Sequence, residues 1–181
     1  MKKLLFLFFL PICLGFTKPK NQYLTRNGQV TFFSYASAEN IKAENNEVLS
    51  ILDLDEEKIA LNILMRAFEF EKSLMQEHFN DSYIESDIFP RATFEGTILN
   101  FRPRLIGTQT KFIKGDFTLR GITKPLKIKA DIDYSNNTYT ITGETTIDIK
   151  DYKIKVPQIL AAKIAKTVKI SFNFKYEPYE K

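Results

Sequence analysis

Five stretches of this sequence alternate apolar and polar residues with a period of two, and no other feature limits the possible folds so tightly. Ile59, Leu61, Ile63 and Met65 share one face of the first stretch. Ala92, Phe94, Gly96 and Ile98 share one face of the second, and Leu126, Ile128, Ala130 and Ile132 one face of the third. Tyr139, Ile141, Gly143, Thr145, Ile147 and Ile149 form the fourth row, and Val168, Ile170, Phe172 and Phe174 the fifth. Side chains of an extended chain point to opposite faces in turn, so each row predicts a strand with one packed face and one wet face.

Turn chemistry separates the rows. The run Arg120-Gly121-Ile122-Thr123-Lys124-Pro125 is expected to break one strand from the next. Tyr134-Ser135-Asn136-Asn137-Thr138 reads as a hairpin tip, because asparagine tolerates the left-handed backbone that tight turns need. The same asparagines match a glycosylation acceptor and are taken as a turn only. Two stretches depart from the strand rhythm. Glu71 to Asp81 carries Leu74, Met75 and Phe79 near helical spacing, with Ser73 as its cap. Pro157 to Lys166 carries Ile159, Leu160 and Ile164 behind an early proline. The expectation is an all-β domain of about eight antiparallel strands with two short helices, closed as a barrel or stacked as a sandwich. A barrel would remove the sticky edges of an open sheet.

The start of the chain has its own pattern. Lys2 and Lys3 precede the apolar run Leu4-Leu5-Phe6-Leu7-Phe8-Phe9-Leu10, and Cys13-Leu14-Gly15 offers small residues for cleavage. Residues 1–15 therefore read as a signal peptide, too short for a comfortable bilayer span of about 20 residues. Residues 16–181 are left as one domain. Ile12, not a small residue, precedes Cys13, which argues against lipidation. Cleavage after Gly15 discards the only cysteine, and with it disulfides, thiolate nucleophiles and cysteine-based zinc sites. It also lowers Lys plus Arg from 26 to 24 against 22 acidic residues, a net charge of +2. That balance, without a dense basic run, excludes a nucleic-acid partner. The expected location is the bacterial periplasm or the exterior.

Chemistry-bearing constellations are sparse. His78 is the only histidine, flanked by Glu77, Asp81 and Glu85. It has no second imidazole to share a metal and no evident nucleophile to serve as base, so it is read as a local hydrogen-bonding residue at a helix end. The carboxylate pairs Asp53/Asp55, Glu56/Glu57 and Glu69/Glu71 are read as solvated strand ends. Seven scattered glycines form no phosphate-binding loop. No catalytic residue, metal or cofactor is expected. What remains is the apolar interior. Sixteen phenylalanines and no tryptophan must be buried against each other or against something else. An eight-stranded lumen can be filled by side chains or hold one ligand. Gly96 and Gly143 either leave space in it or mark bends.

Several motifs coincide in one family. Leu74-Met75-Gln76-Glu77-His78-Phe79-Asn80-Asp81-Ser82-Tyr83-Ile84-Glu85-Ser86, then Phe89-Pro90-Arg91-Ala92-Thr93-Phe94-Glu95-Gly96, resembles the YceI-like family. Gly115 to Pro125 and Asp151 to Pro157 fit the same pattern, and the resemblance runs over roughly residues 30–176. It implies an antiparallel lipocalin-like β-barrel, usually exported, some members of which hold a polyisoprenoid chain. The resulting expectation is an exported lipid-binding protein with a polyisoprenoid or isoprenoid-quinone-like chain in its lumen. Met65, Phe68, Phe70, Phe94, Phe112, Phe117, Phe172 and Phe174 are candidates for the wall. Leu74, Met75, Phe79 and Tyr83 are candidates on a helical plug, which His78 helps to hold. Asp151 and Tyr152 are expected to brace the second helix in the same way. Contact with a membrane surface or an envelope protein is a further expectation. The competing reading is an envelope interaction or structural module, its barrel filled by its own side chains and its lysine rows, such as Lys124, Lys127 and Lys129, turned to a partner.

Overall fold

A computed structural model describes residues 21–35, 40–156 and 165–179. The expected signal segment and most of the expected second helix lie outside them.

Among the described residues, nine strands form one antiparallel sheet. They are β1 (Gln22–Ser34), β2 (Ile41–Asp53), β3 (Lys58–Leu64), β4 (Glu69–Phe70), β5 (Arg91–Ile98), β6 (Gly107–Leu119), β7 (Ile122–Ser135), β8 (Thr138–Asp148) and β9 (Thr167–Pro178). The order is β1-β9-β8-β7-β6-β5-β3-β2-β4, and β1 also pairs with β2. That last pairing joins the eight long strands into a closed antiparallel barrel, so none of the eight is left as an edge. The five alternating rows fall on β3, β5, β7, β8 and β9, each with its apolar row facing inward.

The remaining long strands include two that interrupt the alternation. In β1 the buried positions are Tyr23 and Thr25, then Val30 and Ser34, with Gly28 between them. In β2 they are Ala43 and Asn45, then Val48, Ser50 and Leu52. Both strands change phase at one place, where Gly28 pairs with Val48 and Val30 pairs with Asn45. An extra residue in each strand turns the inward row from odd to even positions, or back. Asn45 is fully buried there. Its Nδ2 donates to Leu64 O (2.8 Å) and its Oδ1 accepts from Glu47 N (2.9 Å). It thus satisfies backbone groups where β3 stops and a single 3₁₀ turn, Met65–Ala67, carries the chain on to β4.

Two turns show how tightly the sheet is wound. Asn136 and Asn137 both adopt positive φ (50° and 59°), a two-residue hairpin of the kind expected there. Arg120 and Gly121 do the same (53° and 71°), but Ile122 to Pro125 already belong to β7. The break is therefore two residues long rather than six. Proline is tolerated because it follows the strand start, away from the centre of the ladder.

The two ends of the barrel differ. At the lower end lie the start of β1, the end of β9 and the Leu99–Ile106 connection. Here Tyr23 meets Tyr139 edge-on at 4.8 Å, and Phe101 and Tyr134 pack against Tyr139 at 6.1 and 4.6 Å. Each buried hydroxyl is used: Tyr23 donates to Asn137 Oδ1 (2.9 Å), Tyr139 accepts from Arg104 N (2.8 Å), and Tyr176 pairs with Ser50 (2.6 Å). With Leu52, Ile98, Ile132 and Ile141, all fully buried, these rings fill the lower lumen as a solid floor.

At the upper end the chain between β4 and β5 forms a lid. Helix α1 (Ser73–His78) runs directly into a π-helical turn, Phe79–Ile84. The helix is shorter than expected, and Ser73 is not its cap. Lys72 occupies the cap position, and its carbonyl accepts from Met75 N (3.0 Å) and Gln76 N (3.2 Å). The π turn ends at Glu85, whose left-handed backbone (φ 56°) stops the helix. Asn80 holds this exit. Its Nδ2 donates to Gln76 O (3.0 Å), its Oδ1 accepts from Ser86 Oγ (2.7 Å), and its carbonyl accepts from Ser86 N (2.8 Å).

Candidate functional site

Above the floor the barrel is hollow. A cavity of about 390 Å³ lies between the lid and the rings below, within the range of about 300–1,000 Å³ typical of small-molecule sites. It follows the inward rows downward. Val30 and Phe32 of β1, Ile59, Leu61 and Ile63 of β3, Ile113 and Phe117 of β6, Ile128 of β7, and Ile170, Phe172 and Phe174 of β9 all face it. None of the floor residues Tyr23, Leu52, Ile132, Tyr139, Ile141 and Tyr176 does. Along β3 the wall runs from Ile59 to Ile63, roughly 13 Å of strand at about 3.3 Å per residue.

Most of the expected wall and plug residues are brought together here. Met65, Phe68, Phe70, Phe94, Phe117, Phe172 and Phe174 line the cavity from the barrel side, and Met75, Phe79 and Tyr83 from the lid. Four of the rings make one cluster. Phe32 stacks on Phe79 at 5.4 Å and meets Phe68 and Phe70 at 5.3 and 5.6 Å, while Phe79 meets Phe70 at 5.1 Å. Pairs of this kind contribute about 0.5–1.5 kcal/mol each beyond the area they bury. They fasten the lid to the β1–β2 side.

Two expected residues are elsewhere. Leu74 is 59% exposed and lies on the outer side of the lid. On a helix Met75 and Phe79 share a face one turn apart, and Leu74 sits roughly 100° away from Met75. Phe112 is 44% exposed. In β6 the inward positions are Ile113, Phe117 and Leu119, so Phe112 points out, where the Lys127 ammonium lies 4.0 Å over its ring.

Other expectations shift as well. Gly96 and Gly143 leave no free space, because a methyl group at either would overlap a ring: Phe94 within 2.7 Å and Phe172 within 2.6 Å. The glycines make room for wall aromatics. Tyr152 ends a 3₁₀ turn, Ile149–Tyr152, and packs edge-on against Phe117 at 5.7 Å. Its expected partner helix falls outside the described residues. His78, the last residue of α1, lines the cavity, and its side chain makes no hydrogen bond among the described residues.

The lid has a second fastening, which sequence reasoning missed. Arg120, at the tip of the β6–β7 turn, pairs through Nη2 with Glu85 at the lid exit. Its Nη1 donates to Lys153 O (2.6 Å), and its guanidinium lies 5.8 Å over the Phe89 ring. One side chain thereby ties together three upper connections. The fork of its planar head is what allows it.

Electrostatics follow burial. The lid phenol of Tyr83 and that of Tyr152 are pushed above the ordinary tyrosine value because burial disfavours the phenolate. No lysine or arginine stands among the described lining residues. Ser34, His78, Tyr83 and Thr145 supply the polar groups of the wall. Among the described residues no group of three or more His, Cys, Asp or Glu side chains could hold a metal ion. The acidic pairs lie outside the lumen, where Asp53 Oδ1 accepts from the amides of Asp55 and Glu56 to shape the β2–β3 turn.

A closed antiparallel barrel with a packed floor, an apolar upper lumen and a short helical lid has the lipocalin-like architecture. The chain belongs to the YceI-like family, whose domain model matches residues 22–176. Solved structures share the fold. One is a polyisoprenoid binding domain from Saccharophagus degradans implicated in plant cell wall breakdown, with a TM-score of 0.75 at 13% identity over 89% of this chain and 100% of that one. Another is BcnA from Burkholderia cenocepacia, with a TM-score of 0.69 at 14% identity over 82% and 95% of the two chains. The Campylobacter jejuni YceI protein aligns over the whole of both chains at 13% identity, with a TM-score of 0.54. No curated protein sequence matches this chain.

Proposed function

We propose that this chain is an exported binding protein that holds a long apolar chain, of the polyisoprenoid or isoprenoid-quinone kind, in its upper lumen. The cavity carries the reading: an almost wholly apolar space of about 390 Å³ under a lid. Moving an apolar chain from water into such a space gains about 0.8 kcal/mol per buried methylene, so a few isoprene units bind without a charged anchor. The polyisoprenoid binding domain among the structural relatives supports the same ligand class. The basic and apolar N-terminal segment supports export to the periplasm or beyond. Loading from a membrane surface fits a ligand too insoluble to travel alone. The role is binding rather than catalysis.

The alternative, a self-filled barrel serving as an interaction module, fits only the floor. Native mass spectrometry of gently purified protein tests the choice. A co-purifying or added prenyl lipid is expected to appear as a bound mass. The double substitution Val168→Phe and Ile170→Phe, at two half-buried wall positions, is expected to fill the lumen and remove that mass while the barrel stays folded. A wild-type protein that remains unliganded in the presence of prenyl alcohols and quinones would sink the proposal.

A further inference from the structure

Among the described lining residues, Ser34 carries a buried polar side-chain atom that the fold leaves without a hydrogen bond. Ser34 is the last residue of β1 and shares its inward face with Val30 and Phe32. It is 3% exposed, yet its Oγ has no hydrogen-bond partner. The hydroxyls of the floor are all paired, so an idle one in the upper lumen stands out. Buried polar atoms without partners are rare, and each one calls for a physical account.

We propose that the Ser34 hydroxyl anchors the terminal oxygen of the bound chain, and that the ligand is therefore an apolar chain ending in a neutral hydroxyl or carbonyl. This rests on the reading of the lumen as a chain-lipid site. A serine hydroxyl offers one donor and two acceptor positions, so it can serve an alcohol or a ketone equally. The position sets the orientation. Ser34 stands at the lid end of the lumen, and Val30 lies four residues further in, roughly 13 Å at about 3.3 Å per residue. The polar end then sits under the lid, near the level where His78 and Tyr83 reach the wall, and the tail runs toward the floor.

Charge sets the class of end group. With no lysine or arginine among the described lining residues, a phosphate or diphosphate drawn under the lid would be desolvated without a counter-charge. A neutral oxygen needs only the one hydrogen bond that Ser34 has to give.

The test uses the full chain, stripped of lipid, and three probes with one prenyl chain: geranylgeraniol, its hydrocarbon analogue lacking the hydroxyl, and geranylgeranyl diphosphate. Wild-type protein is expected to bind the alcohol about tenfold more tightly than the hydrocarbon, and the diphosphate more weakly than the alcohol. Ser34→Ala is expected to bring the alcohol down to the hydrocarbon's affinity and leave the hydrocarbon unchanged. Because the substitution removes an unpartnered buried hydroxyl, it is also expected to raise the Tm of lipid-free protein, by roughly 2–4 °C. Equal wild-type affinity for alcohol and hydrocarbon, a preference that survives in Ser34→Ala, or tightest binding of the diphosphate overturns the anchor while the lumen reading stands. Failure of all three probes to bind overturns both. Should Ser34→Ala not fold, the wild-type protein still decides. The carbonyl stretch of bound farnesylacetone is expected at lower frequency than in hexane, and an unshifted band refutes the hydrogen bond.

Discussion

Tyr176 shows how a single buried residue sets the behaviour of the floor. It is completely buried, its hydroxyl lies 2.6 Å from Ser50, and Ser50 in turn donates to Ala60 O at 3.0 Å. Burial pushes the phenol well above its ordinary 10.0, and the Ser50 hydrogen bond offsets this only in part. Tyr23 and Tyr139 are raised by burial too. The sign follows from proton counts. Below pH 10 both folded and unfolded chains keep these protons. Above it the unfolded chain releases them while the folded chain holds them, so stability falls as pH rises, by up to about 1.4 kcal/mol per pH unit for each such tyrosine. Denaturant titrations on either side of pH 10 are expected to show that fall. Tyr176→Phe should cost about 1 kcal/mol at neutral pH and make the alkaline fall shallower.

At the scale of elements, the lid is held from two sides by different physics. The four phenylalanines bind it to β1 and β4 through area and ring geometry, and Arg120 binds it to the β6–β7 turn through charge and direction. Arg120 has 14% of its side chain exposed and Glu85 36%, so solvent screens the pair partly and its contribution to global stability is small. Its contribution to local order is larger, because the same guanidinium also binds Lys153 O and lies over the Phe89 ring. Arg120→Lys keeps the charge but loses the fork. Hydrogen exchange is expected to speed up in residues 73–89 and 149–154 with little change in Tm. Unchanged exchange in both segments would show that the lid is held without the fork of Arg120. Sequence rules located this element through Met75 and Phe79 at helical spacing, but not its π turn. That turn depends on Asn80 and Ser86 closing on each other, a pairing that periodicity does not encode.

For the molecule as a whole, the division into solid floor and hollow upper lumen has a measurable signature. Leu52 is fully buried in the floor, whereas Leu126 is only partly buried on the cavity wall. Leu52→Ala is expected to cost about 2–5 kcal/mol, since the surroundings cannot collapse into the gap. Leu126→Ala should cost clearly less in the lipid-free protein, because one side of that leucine already faces a void, and should weaken prenyl-lipid binding instead. Equal stability losses at the two sites, measured by denaturant unfolding, would mean that the upper lumen is as tightly packed as the floor.

The amino-acid sequence by itself determined which residues of β3, β5, β7, β8 and β9 face inward, because period-two alternation forces that choice wherever one face is buried. It also marked the Asn136–Asn137 turn and the apolar character of the lining. Only the tertiary structure decided how β1 and β2 enter the barrel, since paired phase changes and inward polar residues such as Asn45 and Ser50 hide their pattern. It alone placed Phe112 and Leu74 outside, stopped the cavity at a floor of tyrosines, and left the Ser34 hydroxyl without a partner. Alternation is a property of one strand and its neighbours in sequence. A cavity is the space left between strands that meet only when the barrel closes.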